Sequence, residues 1–73
     1  MHYVYVLELE SGELYIGYTS DLKRRLTEHN KTKGHCQLLY YESYLHDKTA
    51  RDRERKLKHY GSAWRSLKKR IGA

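Results

Sequence analysis

Five side chains in this sequence, Tyr5, Tyr15, Arg25, His29 and Glu54, are of types that together suit the cleavage of a phosphodiester. A carboxylate such as Glu54 can hold a hard divalent cation, since Mg2+ takes oxygen ligands and keeps several waters beside one protein carboxylate and a phosphate. The same glutamate could instead pair with Arg53 or Arg55, its neighbours in sequence. A guanidinium at Arg25 can grip a phosphate through its donor fork and stabilise charge building on a pentacoordinate phosphorus, or it can snorkel from the edge of a core. His29 can exchange a proton near neutrality, or serve as a hydrogen-bonding neighbour. A tyrosine could orient or deprotonate an attacking water, but with a pKa of about 10 it needs positive charge nearby to act as a base at neutral pH. With eight tyrosines in the chain, any one taken singly is better explained by packing or surface contact.

These residues can cooperate only if the backbone brings them together, and the first test is a hairpin. Residues 2–9, HYVYVLEL, are aromatic and β-branched enough for a strand, and residues 13–19 supply a second. Glu10, Ser11 and Gly12 lie between them, and a three-residue loop ending in a left-handed glycine is a common hairpin connection. It pairs Leu9 with Glu13, Leu7 with Tyr15 and Tyr5 with Gly17. Tyr3, Tyr5, Leu7, Tyr15 and Gly17 then share one face, where Gly17 leaves room beside Tyr5 for a ligand or another backbone. Val4, Val6, Leu14 and Ile16 form the opposite, core-facing surface. A two-residue loop would separate Tyr5 from Tyr15.

Thr19, Ser20 and Asp21 are helix-start residues, and a helix is expected over 21–30, with Leu22, Arg25, Leu26 and His29 on one stripe. Residues 31–35 read as a loop with Gly34 its least restricted member, and 37–44 as a third strand. Asp47 is the expected cap of a helix running to about residue 60, which places Ala50, Arg53, Glu54 and Leu57 on one stripe. Gly61 permits a break, and the remaining segment forms a short helix with Trp64, Leu67 and Ile71 inward and Arg65, Lys68 and Lys69 outward. The expected fold class is α/β in the α+β sense: a small, three-stranded, mostly antiparallel sheet packed with helices in the order β-β-α-β-α-α.

Seventy-three residues suit one domain, 1–73, with one small core. A single cysteine, Cys36, excludes an internal disulfide and a cysteine-rich zinc site. Fifteen Lys and Arg against nine Asp and Glu give a charge of +6, which favours a polyanionic partner, although charge alone also suits a solubilising surface. The opening residues lack the pattern of a secretion signal and no segment is long and apolar enough for a bilayer, so the expected setting is cytoplasmic or otherwise intracellular, without a membrane partner.

The ordered set resembles the GIY-YIG nuclease family in its small stand-alone form, similar to the catalytic domain of the excision-repair nicking subunit. Tyr3-Val4-Tyr5 stands for the first half-motif, and Tyr15-Ile16-Gly17 matches the second letter for letter. Arg25 follows Tyr15 by ten residues, where the family has its catalytic arginine, and His29 and Glu54 take the positions of its histidine and its metal-binding glutamate. The resemblance covers about residues 2–71. It implies a hydrolase that uses Mg2+ or Mn2+ held mainly by Glu54. Tyr15 is then the first choice for the general base or nucleophile-positioning group, with Tyr5 assisting, Arg25 on the scissile phosphate, and His29 supporting proton transfer or binding phosphate. Tyr3 replaces the family's first glycine, and Tyr18 stands where some repair-type members carry a lysine. No asparagine follows Asn30 to brace the site as in many members, a place that Ser62 could take.

On this reading the partner is DNA. Lys23, Arg24, Lys31, Lys33, Arg51, Arg55, Lys58, Lys68, Lys69 and Arg70 are candidate phosphate contacts, and no recognition-helix or zinc-finger spacing stands out. Binding should be salt-sensitive with little sequence preference. Selectivity would come from a partner protein, a homodimer or DNA shape. The competing readings are a non-catalytic nucleic-acid-binding module on the same scaffold, a domain that docks an acidic protein, and an RNA binder whose tyrosines stack on bases.

Overall fold

The computed structural model describes all 73 residues. Its elements are β1 (His2–Glu8), β2 (Leu14–Thr19), α1 (Leu22–Lys33), β3 (Gln37–Tyr44), α2 (Asp47–His59) and α3 (Gly61–Ile71). The sheet is antiparallel throughout, in the order β2-β1-β3.

The first hairpin closes as the three-residue loop requires. The Leu9 N–H donates to the Glu13 carbonyl at 2.9 Å, and Gly12 adopts a φ of 90°, a conformation that side chains rarely take. Tyr5 is thereby set opposite Gly17, and Leu7 opposite Tyr15.

β1 is the central strand, which explains why its apolar run is continuous rather than alternating. Val4 and Val6 bury one face against Ala50 and Leu57 of α2 and Leu67 of α3. Tyr5 and Leu7 bury the other with Cys36, covered by Leu22 and Leu26 of α1. The expectation of one small core is therefore corrected: each face of the sheet carries its own cluster. Burying each such side chain contributes about 1.5–3 kcal/mol, which a chain this short needs on both faces.

A bulge in β3 adjusts the two layers. Val6 pairs with Tyr40 and Leu7 with Leu38, so Leu39 is the extra residue. Leu38 consequently reaches the α1 layer, while Leu39 and Tyr40 both join the α2–α3 layer.

α1 extends three residues past its expected end and stops at Gly34, whose φ is 80°. Asn30, expected to end the helix, bonds through Nδ2 to the Leu26 carbonyl at 3.1 Å, and its Oδ1 accepts the Cys36 N–H at 2.8 Å. It ties the chain leaving α1 back to the helix. Asp47 is the first residue of α2 rather than its cap, which is His46. Its carboxylate instead receives the Tyr18 hydroxyl and pairs with Arg51 at 2.9 Å, fastening α2 to β2. The break after α2 falls at Tyr60, whose extended backbone separates the helices; Gly61 opens α3.

Glu42 anchors β3 to α2. Arg53 donates to both of its oxygens, at 3.0 and 3.1 Å, and the hydroxyls of Tyr40 and Tyr44 donate as well. Burial raises the Glu42 pKa, but hydrogen bonds from Arg53, Tyr44 and Tyr40 outweigh it and hold the carboxyl below its usual range.

Candidate active site

Tyr5 and Tyr15 project from neighbouring strands onto the face covered by α1, with ring centroids 6.4 Å apart. The space beside Gly17 is taken by Tyr5 itself: a Cβ on Gly17 would lie 2.3 Å from Tyr5 Cζ. The expectation that Gly17 leaves room for a ligand is thus corrected, since the glycine makes room for the tyrosine ring.

The helix start fixes the other members. Thr19 Oγ1 accepts the Asp21 N–H at 3.0 Å, and Asp21 caps α1 by accepting the Arg24 N–H at 3.1 Å. With that phase set, Leu22, Leu26 and His29 face the sheet and Arg25 stands at the margin, its side chain 45% exposed and 3.6 Å from Glu28.

His29 closes the cluster. Its Nε2 lies 2.8 Å from the Tyr5 hydroxyl, and its ring meets Tyr15 edge-on at a centroid distance of 5.0 Å. Burial, then Lys33 and Arg25, lower the His29 pKa below its ordinary 6.5, so the ring is neutral at pH 7. A neutral ring with its hydrogen on Nδ1 accepts the Tyr5 hydroxyl proton at Nε2. Tyr5 is pushed up to about 12 by burial first, then by Tyr15, with Arg25 opposing and Glu54 and Glu28 adding to the rise. Tyr5 is therefore a neutral hydroxyl near neutrality, a hydrogen-bonding group rather than a base.

Tyr15 is set apart by a cation. Lys33 Nζ stands 4.3 Å from the centroid of its ring. Lys33, expected in a loop, lies on the last turn of α1, one turn beyond His29. The spacing of Arg25, His29 and Lys33 at i, i+4 and i+8 was the signal for it.

Glu54 enters from α2, its side chain 24% exposed and its Oε2 3.2 Å from Lys58 Nζ. Its charge is one of the smaller contributions that raise the Tyr5 pKa, while α2 itself packs on the Val4–Val6 face of the sheet. No three His, Cys, Asp or Glu side chains converge on a metal-sized site. A single half-buried carboxylate suits a hard cation that takes its remaining oxygens from water and a bound phosphate.

The remaining cations divide by partner. Arg24 pairs with Glu28, Arg51 with Asp47, Arg55 with Asp52 and Lys58 with Glu54. Lys68 rests over the Trp64 ring, with its Nζ 5.6 Å from the centroid. Lys23, Lys31, Lys69 and Arg70 form no ion pair with an acidic side chain, and all but Lys23 lie on the final turns of α1 and α3.

A family model described as the GIY-YIG catalytic domain matches residues 1–65. A UPF0213 protein of Haloquadratum walsbyi is 37% identical over 67 residues, covering 81% of this chain and 75% of that protein. A UPF0213 protein of Bacillus pumilus is 38% identical, covering 78% of this chain and 66% of that protein. One from Streptococcus agalactiae is 48% identical over 50 residues, covering 58% of this chain and 57% of its own length. The solution NMR structure of a UPF0213 protein from Bacillus halodurans superposes with a TM-score of 0.60 at 32% identity, covering 92% of this chain and 84% of that one. With Tyr5 set opposite Gly17 and Tyr15 opposite Leu7 across β1 and β2, and with the family model spanning most of its length, the chain belongs to the GIY-YIG catalytic domain family.

Proposed function

We propose that the chain is a metal-dependent endonuclease that hydrolyses phosphodiester bonds of DNA, using Mg2+ or Mn2+. The observation that carries this reading is the Tyr5–His29–Tyr15 cluster, with Arg25 at its margin and Glu54 acting on Tyr5 from α2. The cation, bound by Glu54, would neutralise charge on the phosphate and its leaving oxygen. Arg25, half-exposed, would bind the scissile phosphate and stabilise the charge of the pentacoordinate state. Tyr15, with Lys33 against its ring, would take or orient the proton of the attacking water. Tyr5, buried and held by neutral His29, would assist through its hydroxyl by fixing the position of its neighbours. The water oxygen bonds to phosphorus as the bond to the leaving oxygen breaks, and the proton ends on that oxygen.

One domain, residues 1–73, would carry this activity, with selectivity from DNA shape, a partner protein or a second copy. No helix is long and apolar enough to cross a membrane. The Lys58–Glu54 ion pair favours a second reading, in which Glu54 is satisfied within its own helix and the domain binds nucleic acid without cutting it.

Incubation with end-labelled duplex, nicked, flapped and branched DNA in Mg2+, Mn2+ or EDTA separates the two. Endonuclease action gives metal-dependent products that folded Glu54→Ala and Tyr15→Phe variants fail to make. Bound DNA with no product in any metal supports the second reading.

A further inference from the structure

Beside the tyrosine cluster, on the same face of the sheet, lies an open groove of about 440 Å³. Tyr3 and Tyr41 form its floor and Leu22 and Leu26 of α1 one wall, with Ser20, Asp21 and Lys23 at the rim. Tyr41 is 53% exposed, a large area of aromatic surface left to water. The two rings stand 6.1 Å apart and inclined by 64°, so a flat group stacked on one meets the other nearly edge-on.

We infer that this groove holds one unpaired base of the DNA strand being cut, which makes the substrate a junction between paired and single-stranded DNA. The inference rests on the reading of the chain as a DNA endonuclease and adds the substrate class. Three features point to a base. Exposed aromatic rings bind bases through their π-faces, which a duplex keeps hidden in its stack. The Asp21 carboxylate at the rim repels a phosphate inside the groove but accepts from the amino groups of unpaired bases, while Lys23 can meet the strand's phosphates outside. The groove also borders the candidate active site. Tyr41 pairs directly with Tyr5 across β1 and β3, and Leu22 and Leu26 flank Arg25 on α1.

The test places 2-aminopurine, a base whose fluorescence falls on stacking, at the first unpaired position of a flap and at the matching paired position of a duplex. Titration with the full chain in EDTA prevents cutting. Quenching confined to the flap is expected, with a flap-to-duplex affinity ratio of about ten or more that falls toward one in Tyr41→Ala and is restored by Tyr41→Phe. A ratio near one for the native chain, or one unchanged in a folded Tyr41→Ala, overturns the inference and leaves the endonuclease reading standing. A folded Glu54→Ala that cuts at the native rate overturns the metal-site reading and not the base groove. Absence of DNA binding overturns both, and a concentration-dependent dimer abolished by Tyr41→Ala reassigns the groove to a second copy.

Discussion

The Tyr5 hydroxyl and His29 Nε2, 24 residues apart in sequence, meet at 2.8 Å beneath α1. That hydrogen bond links the first strand to the helix carrying Arg25. Its integrity depends on the absence of a side chain at Gly17, and a substitution there should separate site geometry from fold.

Gly17→Ala would set a Cβ 2.3 Å from Tyr5 Cζ and 2.4 Å from its oxygen, against a ring that is buried. A loss of about 1–3 kcal/mol is expected in urea denaturation, the range for overpacking a filled interior. Cleavage should fall by more than stability explains, because the displaced ring loses His29.

His29 gives stability a pH dependence of known sign. Its folded pKa lies below 6.5 because of burial, Lys33 and Arg25. The unfolded chain therefore binds the additional proton first, so stability drops as pH falls from 6.5 toward the folded value and levels off below it. Urea midpoints measured between pH 7 and pH 5 should show this fall in the native chain and a smaller one in His29→Gln.

Glu42 acts at lower pH. Its folded pKa is held under 4.5, so the stability it contributes is present above 4.5 and lost as pH falls through the folded value. Glu42→Gln should cost about 2–4 kcal/mol at pH 7 by leaving Arg53 without its charge partner. It should also flatten the acid limb of the stability profile while metal dependence is retained.

Lys58 Nζ holds Glu54 Oε2 at 3.2 Å, and on the proposed reading it would compete with the metal for that carboxylate. Lys58→Met should lower the Mn2+ concentration giving half-maximal cleavage. It should also reduce the salt slope of DNA binding by about 1 if Lys58 contacts a phosphate, which titrations at several salt concentrations would show.

The hairpin register was legible because Gly12 restricts the loop, and β3 because Leu38, Leu39, Tyr40 and Tyr41 form an aliphatic and aromatic run. Other features depended on partners far off in sequence. Asn30 looks like a terminator until Cys36 returns to its side chain, and the basic residues beyond it are well placed at a helix C-terminus. Asp47 has the chemistry of a cap but is claimed by Tyr18 and Arg51. Nothing in the sequence near Glu42 marks it as buried; its burial follows from Arg53 on the inward stripe of α2. The second core was hidden because alternation reveals one apolar face, whereas β1 is central and needs two. The candidate site was read as a set of residues; the neutral state of His29 and the seat of Lys33 over Tyr15 emerge only from the packing of α1.

Single-turnover cleavage of flapped DNA across a Mn2+ titration, by the native chain and by Glu54→Gln, tests the central claim that Glu54 serves the tyrosine cluster through a metal. The account predicts a saturable Mn2+ dependence for the native chain and a folded variant whose rate is at least about a hundred-fold lower, the scale expected when one strong electrostatic contribution is removed. A Glu54→Gln protein that cuts at the native rate with the native Mn2+ dependence would contradict it.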